Sequence, residues 1–195
     1  MTTRRPVLTD PEVLEALAHP VRLDLLTYLM SDGPASASAC ARAVGDTPSN
    51  CSYHLRTLAG HGLVESVPSP DRRQRPWRAT ITGFEFDEIA DPTTREGRGA
   101  AAVMAASLAL QQRLAREYLS HRDDVPEAWR DADLASSYGL RVSPGELKAL
   151  GEQIDALIRP FIAAGRAAAP ADAALVALDL FAFPRLESPW QRARR

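Results

Sequence analysis

The stretch Thr47-Pro-Ser-Asn-Cys-Ser-Tyr-His-Leu-Arg-Thr-Leu-Ala-Gly-His-Gly-Leu-Val-Glu65 reads as a helix with two unlike faces that exits into a strand. At the helical step of about 100° per residue, Cys51, Leu55 and Leu58 stack on one side, with His54 at its edge. Ser49, Tyr53, Arg56 and Thr57 fall on the other side, flanked by Asn50 and Ser52. A helix that merely covers a core usually carries Glu and Lys paired at i, i+4 on its solvent face. Here the outer face has no acid. Its hydroxyl, amide, phenol and guanidinium groups match base edges and phosphates.

The flanking sequence sets this helix in a larger unit. Upstream, Asp10-Pro11-Glu12 supplies an N-cap, a proline at the first helical position and an acid in the first turn. The helix it opens carries Val13, Leu14 and Leu17 and stops at His19-Pro20, because proline pushes the preceding residue out of the α region. Pro20 opens a second helix, Val21 to Met30, with Val21, Leu25, Tyr28 and Leu29 as an apolar stripe and Arg22 and Asp24 exposed. Asp32-Gly33-Pro34 ends it. Ser36 or Ser38 then caps a short Ala-rich helix through Val44, and Gly45-Asp46-Thr47-Pro48 turns into the opening stretch. Helix, short glycine turn, helix is the helix-turn-helix unit. Downstream, Leu63 to Val67 and Trp77 to Ile81 read as two strands. Pro68 to Pro76 joins them as a polar, proline-rich hairpin tip, a wing in which Arg72, Arg73, Arg75 and Arg78 cluster against Asp71.

Residues 83–99 are mixed and acidic and read as a connector. Ala100 to His121 has neither proline nor glycine and places Val103, Met104, Leu108, Leu110, Leu114 and Tyr118 over a wide face. So wide a face calls for partners on more than one side, which in a short chain points to a second subunit. Beyond it come a short helix around Asp124 to Trp129, a strand over 136–142, a Ser143/Glu146 capping box opening a helix to about Gly165, and a last strand over 174–183. Because Leu178 to Phe183 is apolar on both faces, that strand is expected to be buried. The predicted fold is mainly α: an N-terminal arm (1–9), a winged helix-turn-helix domain (10–82), the connector (83–99), and a region for dimerisation and for an effector (100–195), comprising the long helix and a small α+β segment.

Composition narrows the functional classes. The chain has 195 residues, 45% of them hydrophobic, and a net charge of −2, so it is not a polycation that coats nucleic acid indiscriminately. DNA binding would have to come from local charge. No apolar stretch is long enough to span a bilayer and no secretory leader is evident. Two cysteines without CxxC spacing suit a reducing compartment, so a cytoplasmic protein is expected. With no Gly-rich phosphate loop, HExxH or nucleophile elbow, no enzymatic activity is expected.

His19-Pro20-Val-Arg22-Leu-Asp-Leu-Leu26, the run Ser49 to Leu55 ending Ser52-Tyr53-His54-Leu55, and Gly62-Leu-Val-Glu65 before an Arg-rich hairpin together resemble the ArsR-type winged-helix regulators over residues 10–82. The resemblance implies a homodimeric bacterial transcription regulator, usually a repressor, on an inverted-repeat operator. It implies recognition-helix roles for Ser49, Ser52, Tyr53 and Arg56, with Asn50 flanking and Pro48 fixing the helix start. The wing arginines Arg72, Arg73, Arg75 and Arg78 would meet phosphate.

Metal sensing in that family uses either a cysteine cluster or carboxylate and imidazole ligands on the long helix. Cys40 stands alone among Ser and Ala, and Cys51 occupies an apolar core position, so both read as buried side chains. Glu117 and His121 are the nearest equivalents of the second ligand set, but two ligands do not close a four-ligand site. No cofactor is expected. The alternatives are a metal- or thiol-responsive sensor and a winged-helix module that binds protein; the latter would want an apolar recognition face. The extension beyond residue 122 exceeds a compact metal sensor and is where a small-molecule effector would act.

Overall fold

The computed structural model describes residues 6–68, 75–86, 91, 93–162 and 169–184. Seven helices and four short strands are described: β1 Val7–Leu8, α1 Pro11–Leu17, α2 Pro20–Asp32, α3 Ala37–Val44, α4 Pro48–Gly60, β2 Val64–Ser66, β3 Trp77–Ala79, β4 Glu85–Phe86, α5 Arg95–Ser120, α6 Glu127–Ala132 and α7 Pro144–Ile158.

Side-chain caps set the helix starts. Asp10, Ser36 and Thr47 accept hydrogen bonds from the main-chain N–H groups of Glu12, Ala39 and Asn50, relieving donors that the first turn leaves unpaired. Gly45 ends α3 in the left-handed region at φ 70°. Gly62 does the same between α4 and β2, where Thr80 Oγ1 donates to its carbonyl at 2.6 Å and ties the turn to the wing.

The helix α2 is the hub, contacted by α1, α3, α4, β3 and α5. It therefore buries Leu23, Leu25, Leu26 and Leu29, where the sequence pattern suggested a narrower stripe with Tyr28 and Val21; those two are half-buried. Arg22 and Asp24 are only partly exposed. The Arg22 guanidinium donates to the carbonyls of Ala16 and Glu15, and Asp24 pairs with Arg113 of α5. One core runs from Leu8 through α1–α4 and β2 to Ile81 and on to Ala100 and Val103.

The strand pair β2–β3 is antiparallel, with Val64 opposite Ala79, Glu65 opposite Arg78 and Ser66 opposite Trp77. A bridge from Trp77 to Ala35 anchors its base against the segment before α3. Val7 and Leu8, which the sequence placed in a loose arm, pair in parallel with Glu85 and Phe86 of the connector, and Leu8 enters the core.

The long helix begins at Arg95, five residues ahead of the predicted start, capped by Thr94 Oγ1 on the Gly97 N–H at 3.0 Å. Gly97 and Gly99 suggested a linker but are helical and buried. A Cβ at Gly99 would lie 2.9 Å from Leu14 Cβ, so the missing side chain is what lets α5 reach α1. Arg95 clasps Glu15 across the same contact with two hydrogen bonds, 2.7 and 2.8 Å.

Beyond α5 the structure departs from the prediction. Tyr118 OH and Arg122 both bond the Asp133 carboxylate and hold the end of α6 to the end of α5. The Ser143/Glu146 capping box forms, and α7 ends at Ile158 before Pro160, short of the Gly165 expected; Gly165 lies outside the described residues. The strands predicted over 136–142 and 174–183 do not form among the described residues: both segments are irregular and exposed. Leu178, Leu180 and Phe183, expected in a core, are open to solvent. Apolar residues in a short run favour a strand but do not supply a partner for its backbone, and no described strand offers one.

Candidate nucleic-acid interface

The helix α4 is seated by Cys51, His54, Leu55 and Leu58, all buried, so its opposite face has a fixed direction. On that face Ser49, Tyr53 and Arg56 are exposed in one row at spacings of four and three residues, and Tyr53 is 58% exposed despite its size. Ser52 is half-buried beside them. Thr57 turns its hydroxyl onto the Tyr53 carbonyl at 3.3 Å and is less available than the pattern suggested. Arg56 makes no ion pair among the described residues.

Pro48 and Asn50 build the entry to the helix. Asp46 accepts the Thr47 N–H and the Asn50 side-chain amide, each at 2.6 Å. These two hydrogen bonds hold the Asp46 carboxyl below its ordinary range. Asn50, predicted as a flanking DNA contact, thus spends one amide N–H on the turn and keeps its second N–H and its oxygen.

In the wing, Arg72 and Arg73 lie outside the described residues. Arg75 is exposed at the base of the loop. Arg78 faces Glu65 across the strands at 2.5 Å, so an acid beyond Asp71 opposes the cluster. The sequence missed this because the pair is a matter of strand register, 13 residues apart in the chain.

The six predicted dimer residues occupy unlike surroundings. Val103 is fully buried in the core of its own chain and Leu110 nearly so; Met104, Leu114 and Tyr118 are half-buried, and Leu108 is exposed. Much of the apolar girth of α5 is therefore covered by α1 and α2 within the protomer.

For metal sensing, the His121 ring packs its Nδ1 against the Glu117 carbonyl and Ser120 Oγ at the end of α5. Among the described residues no three His, Cys, Asp or Glu side chains are placed to hold an ion. Cys40 and Cys51 are both buried. Burial and the neighbouring Cys51 push the Cys40 thiol up to about 11, and burial also raises that of Cys51. Such thiols are poor nucleophiles. In the native protein at neutral pH both should resist iodoacetamide for as long as the fold persists, then react on addition of urea; rapid native labelling by mass spectrometry would restore a thiol-sensing role.

A capped helix with a polar outer row, projected beside an antiparallel hairpin from a three-helix core, defines a winged helix-turn-helix module of the DNA-binding kind. A helix-turn-helix domain family model matches residues 17–67. The homodimeric winged helix-turn-helix DNA-binding domain of a possible ArsR-family transcriptional regulator from Mycobacterium bovis is 30% identical, over 56% of this chain and 81% of that one, with a TM-score of 0.32. A MarR family regulator from Neisseria meningitidis is 18% identical over 72% of this chain and 79% of that one, also with a TM-score of 0.32. No curated protein matches the chain. The chain belongs to the winged helix-turn-helix regulator family.

Proposed function

We propose that the protein is a bacterial transcriptional repressor of ArsR type that binds an inverted-repeat operator as a homodimer. The observation that supports this best is the exposed row Ser49, Tyr53 and Arg56 on a helix whose other face is locked into the core. Ser52 and the free oxygen of Asn50 flank the row, and Pro48 sets its start. Arg75, with Arg72 and Arg73, would neutralise phosphates, while Arg78 contributes less because Glu65 already holds it. A polar outer row also speaks against the protein-binding alternative.

A homodimer, as the Mycobacterium bovis domain is described to be, fits the apolar side chains that the protomer leaves open, Leu108 and Leu119 on α5 and Leu134 and Tyr138 after it. Two copies would present two recognition helices to half-sites about one helical turn apart. The effector, if small and apolar, would be taken up within residues 100–195. No helix among the described residues is long and apolar enough to cross a membrane, and a cytoplasmic setting is part of the proposal.

Fluorescence anisotropy on the upstream region of the chain's own gene tests the reading. Affinity should fall steeply with salt. Arg56→Ala should weaken binding by about 1–3 kcal/mol, roughly five- to 150-fold, without altering the thermal melt. Absence of binding at low salt would refute the regulator reading.

A further inference from the structure

The recognition helix leans on an imidazole pair for which DNA reading has no use. His54, on the inner edge of α4, is only 5% exposed. His19, the residue before Pro20 at the elbow between α1 and α2, stacks against it with ring centroids 4.6 Å apart and planes tilted by 41°. Nδ1 is buried without a hydrogen-bond partner in both rings. Two neighbouring unpartnered polar atoms in a folded interior call for an explanation, since such groups are nearly always paired.

The charged and aromatic groups that act on the pair come from α2, the α3–α4 turn and α4. From α2 comes Arg22, whose guanidinium is pinned by the carbonyls of Ala16 and Glu15. From the α3–α4 turn comes Asp46, whose carboxylate already accepts two hydrogen bonds. From α4 comes Tyr53, whose ring meets His54 edge-on with centroids 5.2 Å apart. Burial holds both imidazoles below their ordinary range; Arg22 adds to this at His19 against the smaller opposing pull of its own main-chain hydrogen bond, and His19 and Arg22 add to it at His54, where the opposing pull of Asp46 is the smallest influence. At neutral pH both rings are therefore uncharged and can stack as apolar surfaces. A proton on His54 would place a cation in a buried site beside a fixed guanidinium, its Nδ1–H facing no acceptor among the described residues; at His19 the charge would lie nearer still to that guanidinium, with its own main-chain carbonyl as the one compensating partner.

We propose that the His19–His54 pair is an acid-sensitive latch for the recognition helix: neutral rings seat α4 on the α1–α2 elbow, and protonation of either ring unseats it, shifts Tyr53 and lowers DNA affinity. The signal it reads is the proton, and the proposal rests on the DNA-binding reading only for its last step. The sign is fixed by linkage. The folded chain binds fewer protons here than the unfolded one, so the stabilisation by the neutral pair is complete above the ordinary imidazole value and is lost as pH falls below about 6.5 toward the lowered values.

Histidine C2–H resonances and α4 amide shifts of the full chain, followed by NMR without DNA, test the latch. His19 and His54 should titrate below the ordinary imidazole value, and the α4 amides should move with the same midpoint. A proton shared between the two Nδ1 atoms would tighten the pair and give a midpoint above the ordinary range; that result, or α4 amides that do not move, overturns the proposal. Anisotropy with the labelled upstream duplex should show affinity falling about tenfold between pH of about 7.5 and about 5.5, with melts confirming that the chain stays folded at both. His54→Gln, or His19→Gln if the first fails to fold, should flatten that dependence, and His121→Gln should leave it intact. An unchanged fall in a folded His54→Gln or His19→Gln variant overturns the proposal. An acid transition in α4 with no DNA binding at any pH would support the latch and refute the regulator reading.

Discussion

Leu55→Ala should lower the stability of the folded chain by about 2–5 kcal/mol, the range for emptying a well-packed leucine site. Leu55 is fully buried in the core that joins α1–α4 to the base of the wing, and the surrounding backbone is fixed by caps at Asp10, Ser36 and Thr47, which restricts collapse into the vacated space. Urea denaturation should show a lower midpoint with an unchanged slope. The contrast with the adjacent Arg56 is the informative part: one position moves stability, the next moves DNA affinity. A loss below about 1 kcal/mol at Leu55 would mean that α4 is not seated as described.

Gly99→Val should detach the long helix from the domain. Removing glycine from a helix interior gains at most about 1 kcal/mol in propensity, and less for a β-branched replacement. Against this, the first added carbon already falls 2.9 Å from Leu14 Cβ, an atom fixed to the α1 backbone that cannot swing aside. Overpacking of this kind costs about 1–3 kcal/mol, so the loss exceeds the gain. The Glu15–Arg95 pair cannot offset it, because both side chains are about half exposed and such pairs contribute about 1 kcal/mol at most. A lower melting temperature with faster amide exchange confined to α1 and the first turns of α5 is the expected pattern. A higher melting temperature would show slack between the helices.

The part of the fold legible in the sequence is the part governed by local chemistry. Pro11, Pro20 and Pro48 open helices, Gly45 closes one, and the two faces of α4 follow from periodicity alone. What escaped depends on pairs distant in the chain. The β1–β4 pairing joins Val7 to Glu85, and two-residue strands carry no period to detect. Gly97 and Gly99 look like a break until Leu14 is placed beside them. The apolar residues over 136–142 and 174–183 suggested strands, yet pairing needs a second backbone that the described chain does not offer. At the candidate site the outer row of α4 was readable, whereas the Arg78–Glu65 pair and the engagement of Asn50 by Asp46 follow only from register and turn geometry.

That last engagement bears on how such a protein could diversify. With the Asn50 amide committed to the turn that launches α4, a substitution there would disturb the helix start before it altered any DNA contact. On the DNA-reading role proposed for α4, new operator preferences would accumulate at Ser49, Tyr53 and Arg56, which carry little of the fold. Descendants of this chain could therefore drift apart in the promoters they address while keeping one scaffold, and position 50 would mark their common ancestry.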